Sequence, residues 1–403
     1  MTLKTGIRLF LLLFLVFMAA CAAAETGCPP EEDAAVKRAW SSGEFTEDYL
    51  ALWQSLYDNY PFFPVLEQQG TDPAALETEY LSHARTCGDL YAYCRIIREL
   101  FFRMGNTAHL ELLDAGRYEQ YRSLIRDGIV TPDSPAYQLV TDRQTAATYG
   151  LMATPQDTYT EQAASASWSY DAENRILILR IPTFRQEAIE RDAGMLTGAA
   201  REHPDVRHII FDIRGNTGGS ALYWMDNLVA PFGKAYLYRE RLYYALTPLN
   251  RLNGLDRDAE PLSRADDSLP DFVKELGFTH SADNVFPIPR ETYEGETVSC
   301  DADRWVLTDG AVFSAADSFV SFCKQSGFAT VVGTRTRGDG DGVAPCLIRL
   351  PVTGLLVRFS TTTCANEDGS LNAVTGHAPD IPCKPKETAM DACLRLIGVK
   401  RPR

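Results

Sequence analysis

The chain has 403 residues, 45% of them hydrophobic and 23% charged, a globular composition with ample material for a core. Thirty-nine Lys and Arg stand against 54 Asp and Glu, a formal net charge of −15. That balance excludes nucleic acid as a partner, because binding a phosphate backbone needs clustered positive charge. No second long apolar run follows the N-terminal one, which excludes a polytopic membrane protein, and the spread of apolar and aromatic residues excludes disorder for most of the chain.

Lys4 and Arg8 precede an uncharged apolar stretch from Leu9 to Ala20, the order of a secretory signal. The stretch is shorter than the roughly 20 residues that a membrane-spanning helix needs. Met18-Ala19-Ala20-Cys21 sets a cysteine directly after small residues, as at a bacterial lipoprotein processing site. Cys21 is therefore the expected lipidation site and membrane anchor, with residues 1–21 as signal and 22–44 as an acidic tether. Cleavage after a nearby alanine, giving a soluble secreted protein, is the alternative; either way the mature chain lies outside the cytoplasm. Ten cysteines in an exported chain permit disulfides. Cys346 and Cys364 flank two apparent strands and are the first candidates, ahead of Cys383 with Cys393 and Cys87 with Cys94. Neither CxxC nor HExxH occurs, so no metal is expected.

From Thr46 to about Leu113 the pattern is helical. Tyr49, Leu52, Trp53, Leu56 and Tyr57 recur at three- and four-residue spacing, as do Leu90, Tyr93, Ile97, Leu100 and Phe101. This predicts a small all-helical domain over 45–117. Residues 118–170 are polar and poorly patterned and read as a connecting segment. Strands are then expected at Arg175–Pro182, Val206–Ile213, Tyr236–Leu246, Trp305–Thr308 and Phe328–Gly333. Helices are expected at Ala188–Glu202, Ala221–Val229, Ser314–Ser326 and about Glu387–Leu396, the last preceded by a hairpin of Leu347–Leu350 and Leu355–Phe359. Asn250–Pro287 reads as an acidic, loop-rich insertion. This alternation predicts an α/β domain over 171–398 with a largely parallel sheet.

Three segments carry residue types suited to one chemistry. Asp212-Ile-Arg-Gly-Asn-Thr-Gly-Gly219 runs a strand into Gly218 and Gly219, whose amides can point into a cleft and hold an oxyanion. A plain flexible turn would look the same, and the spacing is not that of a dinucleotide loop. Ser314 stands between a buried strand and an amphipathic helix, where the positive helix end favours developing negative charge and the Ala315 amide shares the same space. It would serve equally as a helix cap, with Asp317 as a weak capping box. His109 follows a helix break; of six histidines only His109 and His377 stand at breaks suited to face a cleft. Imidazole is the side chain whose unperturbed pKa suits a general base.

Taken in order, these segments belong to a longer series: Tyr60-Pro-Phe-Phe63, Gly105-Asn-Thr-Ala-His109, Leu179-Arg-Ile-Pro-Thr-Phe184, Asp212–Gly219, Phe313-Ser-Ala-Ala-Asp317, Val332–Gly338 and Gly376-His-Ala-Pro-Asp-Ile381. The series, from about Phe45 to Cys383, resembles the tail-specific, or C-terminal processing, serine peptidases, which include the tricorn core protease. The resemblance implies a crotonase-like (ClpP/crotonase) α/β fold and no cofactor. It makes Ser314 the nucleophile on a peptide carbonyl, and the amides of Gly218 (or Gly219) and Ala315 the oxyanion donors.

Two departures bear on mechanism. The bacterial processing branch carries a lysine base where this chain has Asp339, so a Ser–Lys dyad is absent. The tricorn-like branch uses a histidine from the helical region, and His109 occupies the matching place. That branch also has a serine before the histidine and a glutamate before the Gly-x-x-Pro-Asp motif, where this chain has Ala108 and about Ala373. The group that orients His109 is therefore open among Asp317, Asp339 and Glu111. The segment between His109 and Arg175 is too short and polar for a PDZ module. The expected function is an exported, lipid-anchored serine endopeptidase acting on extracytoplasmic polypeptides. The rival is a non-catalytic module holding peptide ends or hydrophobic ligands at the cell surface. An acyl-thioester enzyme on the same fold lacks a basic site for a nucleotide phosphate.

Overall fold

The structure, a computed structural model, describes residues 39–153 and 166–399 apart from 264, 299 and 341. The expected signal, Cys21, Cys28 and most of the tether lie outside the described residues. Four helices open the described chain: α1 (Ser42–Asn59), α2 (Phe63–Gln68), α3 (Pro73–Ala84) and α4 (Leu90–Arg103). Oxygen side chains satisfy their first amides: Ser41 and Glu44 form a capping box on α1, Asp72 caps α3 and Asp89 caps α4. Tyr60, forced out of the helical region by Pro61, ends α1. The expected apolar face is buried, including Tyr49, Leu52, Trp53, Tyr93 and Ile97, but Tyr57 is 51% exposed and donates to Glu77.

The expected connecting segment contains three further helices, α5 (Ala115–Arg126), α6 (Pro135–Val140) and α7 (Arg143–Met152). Their buried stripe is narrow, made by Tyr118, Val140, Tyr149 and Met152, with the Tyr118 and Tyr149 rings stacked at 4.2 Å between centroids.

Thirteen strands form three sheets among the described residues. In chain order they are β1 (Glu111–Leu112), β2 (Ser167–Asp171), β3 (Ile176–Arg180), β4 (His208–Asp212), β5 (Tyr236–Tyr244), β6 (Glu260–Pro261) and β7 (His280–Ile288). They continue with β8 (Asp303–Thr308), β9 (Thr330–Gly333), β10 (Cys346–Arg349), β11 (Leu356–Phe359), β12 (Thr362–Thr363) and β13 (Ile381–Pro382). The central sheet has the order β13-β9-β8-β4-β3-β2 and is parallel except at the β2–β3 edge. Its inner strands are continuous apolar runs because both faces are covered. On one face α8 (Met195–Glu202) and α9 (Ala315–Ser326) pack Leu196, Phe319, Val320 and Phe322 against Phe211 and Val306. On the other, α10 (Ala389–Ile397) packs Met390, Ala392 and Cys393 against Ile210 and Leu307. The second sheet, β12-β5-β7-β6, takes the two strands β6 and β7 out of the expected loop-rich insertion, β7 pairing with β5 from Tyr236↔Ile288 to Tyr244↔His280.

The third sheet, β1-β11-β10, changes the expected domain division. The helices do not close a core of their own: it is completed by Leu347, Leu350, Leu355, Leu356, Val357 and Phe359 from the C-terminal hairpin. Asp48, fully buried in α1, fastens the two regions by accepting from the amides of Val352 at 2.7 Å and Thr353 at 2.8 Å. Burial raises the pKa of this carboxyl, against the hydrogen bonds that lower it.

The eight described cysteines are free thiols. The expected Cys346–Cys364 staple is not formed. Hairpin register sets Cys346 opposite Phe359, and the chain then leaves through β12 into another sheet before reaching Cys364.

Asp48→Ala strands two buried amides and is expected to cost about 2–4 kcal/mol. Chemical denaturation should show this loss, whereas Glu47→Ala, one exposed residue earlier, should stay within about 0.5 kcal/mol.

Candidate active site

Ser314 enters α9 from the end of β8 with φ 55° and ψ −134°, and its side chain makes no cap hydrogen bond. The capping alternative therefore does not hold. A non-glycine residue at such a φ costs about 1–3 kcal/mol and persists only where its surroundings fix it. Here the Ser314 amide donates to the Gly338 carbonyl at 3.0 Å, and its carbonyl accepts from the amides of Asp317 and Ser318. A sharp strand-to-helix turn of this kind presents a hydroxyl at the helix mouth.

His109 lies beyond α4 in a similarly constrained turn, with Asn106, Ala108 and His109 all at positive φ. The chain is held there by β11: the Ser360 amide donates to the Ala108 carbonyl at 2.7 Å, and Glu111 pairs with Arg358 in the ladder. The imidazole Nδ1 contacts an oxygen of the Asp339 carboxylate and lies 3.2 Å from the Ser360 hydroxyl, which itself donates to Asp339 at 3.5 Å. The side chains of His109 and Asp339 are only 5% and 3% exposed. With Nδ1 turned to the carboxylate, Nε2 is the remaining ring nitrogen. The imidazole packs on the Phe313 ring, 4.6 Å between centroids, and His109 and Ser314 line one cleft of about 700 Å³.

Asp339 is also at positive φ. Its loop runs beside the Ser314 turn through the Phe313–Gly338 bridge, and Asn372 holds it, accepting from the Asp339 amide at its carbonyl and from the Gly340 amide at its side chain.

The glycine turn after β4 completes the cleft. Asn216 donates to the Ile181 carbonyl and accepts the Gly218 amide at 2.8 Å, so the Gly218 N–H is already used. Gly218 instead provides close approach: a Cβ there would sit 2.7 Å from the Phe313 carbonyl oxygen and 2.9 Å from the Ala315 nitrogen. Gly219 lines the cleft with Thr217. Ala315 is the first residue of α9, where an amide has no intrahelical acceptor.

The three open candidates for orienting His109 separate cleanly. Asp339 is the one in contact with the imidazole. Asp317 is fully buried elsewhere, bound to Thr336, to Asn372 at 2.8 Å and to His377 Nε2 at 3.8 Å. Glu111 sits on the cleft wall, paired with Arg358 at 2.7 Å. His377 does not face the cleft; it is buried between Asp317 and Glu367. Ser360 escaped the sequence reading altogether, lying 251 residues from the histidine it touches, just past β11 in a segment with no distinguishing motif. Among the described residues no group of three or more His, Cys, Asp or Glu is placed to hold a metal ion.

Residues 175–383, more than half of the chain, match the model of peptidase family S41. The protein is a serine-type peptidase by class, and the chain belongs to family S41, the tail-specific proteases. No curated protein sequence matches it. Among solved structures it is similar to a candidate peptidase from Parabacteroides merdae ATCC 43184, with TM-score 0.54 and 19% identity over 88% of this chain and 96% of that one. It is also similar to mature CPAF complexed with lactacystin, with TM-score 0.51 and 14% identity over 85% of this chain and 94% of that one. At these identities the likeness concerns the fold.

Gly218→Ala would both strain a residue at φ 92° and push the Ser314 turn aside, whereas Gly70→Ala, at φ 82°, meets no atom within 4 Å. The first is expected to cost about 3 kcal/mol or more and the second about 1–2 kcal/mol, read from thermal unfolding.

Proposed function

We propose that this chain is an exported serine endopeptidase that hydrolyses peptide bonds of extracytoplasmic polypeptides, with His109 as the base of Ser314. The observation that carries the reading is the contact of the His109 imidazole with the Asp339 carboxylate in the cleft that Ser314 lines. Binding alone needs neither a strained serine nor a buried imidazole–carboxylate pair, so the hydrolase is favoured over a binding module on the same scaffold.

In this mechanism the Ser314 hydroxyl attacks the substrate carbonyl and its proton passes to Nε2 of His109. Asp339 keeps the Nδ1–H tautomer in place and stabilises the imidazolium that forms, the role a carboxylate has in a Ser-His-Asp triad. The amides of Gly219 and Ala315 hold the tetrahedral oxyanion, with Gly218 as the spacer that lets the turn approach. His109 then gives its proton to the leaving amine, and a water molecule repeats the sequence on the acyl-enzyme. Ser360, touching both His109 and Asp339, is a positioning residue.

The α/β domain is read as crotonase-like, following the family resemblance. The basic head, apolar run and Cys21 support export and a lipid anchor on the outer face of a bacterial membrane.

Ser314→Ala should abolish cleavage of an unfolded polypeptide; undiminished turnover by that variant would overturn the proposal. Asp339→Asn should lower kcat by about 10³–10⁴ with a smaller effect on KM, as loss of the triad carboxylate does elsewhere. For the anchor, Cys21→Ser should end incorporation of labelled fatty acid and move the protein out of the membrane fraction; unchanged labelling would exclude Cys21 as the site.

A further inference from the structure

The cleft carries a charge opposite to that of the chain. Its lining holds Arg98, Arg117, Arg337 and Arg358 against Glu99 and Glu111, in a protein of net charge −15. Glu111 is shared, 2.7 Å from Arg358 and 3.6 Å from Arg117. Arg98 and Arg337 are exposed and make no ion pair among the described residues.

Arg337 is the better placed of the two. Its guanidinium lies 4.6 Å from the centroid of the Phe313 ring, the residue before Ser314, and the same ring packs on His109. Its backbone is fixed by an amide hydrogen bond to the Val312 carbonyl at 2.8 Å. A guanidinium stacked on an aromatic face is held in one plane while its N–H edge stays open, the geometry that suits a carboxylate. The low-dielectric wall and the unpaired Arg98 elsewhere in the same lining strengthen the field that an incoming anion meets.

We propose that Arg337 is a specificity-determining residue that binds an acidic side chain of the substrate close to the scissile bond, so that polypeptides carrying Asp or Glu there are preferred. The proposal rests on the peptidase reading of the same cleft, and its test separates the two.

The cuts made in an unfolded polypeptide are mapped by mass spectrometry. Matched peptides around one cut then carry Glu, or its neutral isostere Gln, at each of the two positions on either side. At one position the Glu peptide should show about tenfold higher kcat/KM, the worth of one charge-assisted pair at a partly exposed site. Arg337→Gln should bring the Glu-to-Gln ratio near one, and Arg337→Glu should invert it in favour of Gln. A wild-type ratio of one at every position, or a ratio that Arg337→Gln leaves intact, overturns the proposal. Amidation of the peptide C-terminus should not alter the ratio; if it removes the preference, the cleft binds the chain-terminal carboxylate and the side-chain assignment falls. If the wild type cleaves nothing, Glu and Gln peptides tiled from the same polypeptide are titrated onto Ser314→Ala by fluorescence anisotropy. Tighter binding of Glu peptides that Arg337→Gln abolishes keeps the acidic subsite while the hydrolase reading fails, and equal binding ends both.

Discussion

Strand β11 is the constraint on which the site depends. It pairs with β1 and accepts the Leu113 amide at the Leu356 carbonyl, and Ser360 just past its end donates its amide to Ala108, so the chain on both sides of His109 is sewn to this one strand and its exit. Each such hydrogen bond contributes only about 1 kcal/mol net. Apolar burial contributes more: Leu355, Leu356, Val357 and Phe359 are fully buried in the core that the N-terminal helices form, and pulling the regions apart would return that surface to water. Asp48 locks the hairpin turn from the other side. The histidine is therefore held in place by the main core itself, where a separate helical lobe would have needed to close before the imidazole met the serine.

That core also holds backbone conformations that local energetics disfavour. Seven described non-glycine residues have positive φ, and five of them, Asn106, Ala108, His109, Ser314 and Asp339, belong to the turns around the cleft. At about 1–3 kcal/mol each, such strain is tolerated only because neighbouring elements over-determine the turns. Asp317 supplies part of that determination at a distance. It binds Asn372, and Asn372 in turn holds the amides of Asp339 and Gly340, so Asp317 acts on the loop that carries Asp339 and has no contact of its own with His109. Its own buried charge is satisfied by Thr336, Asn372 and His377, which is what makes a carboxylate tolerable there.

Much of this was legible in the sequence, for reasons that also mark where reading stops. The helical period over residues 46–103 and the apolar runs of β4 and β8 are local patterns, and they gave the right elements. Helices α5 to α7 bury too few residues to show a period above their polar surface, and β7 was masked by the acidic residues around it. The sharing of one core between the helices and the hairpin is a tertiary fact that no window of sequence contains. Asp339 was visible where related peptidases carry a lysine, but nothing local set it above Asp317 and Glu111, because its partner lies in another region of the chain. The paired glycines were equally legible, while the choice between them depends on the Asn216 side chain, which takes the Gly218 amide.

The exchange of lysine for aspartate is coherent once burial is considered. A carboxylate 3% exposed beside a nucleophile would raise the cost of every developing negative charge unless a cation-forming group faced it. The imidazole of His109 is that group, and the pair accounts for both departures from the lysine-bearing pattern at once. On the proposed mechanism the histidine and the aspartate thus act as one unit. A chain that kept His109 without Asp339 would leave the ring tautomer to chance, and one that kept Asp339 without His109 would bury an unpaired anion next to Ser314.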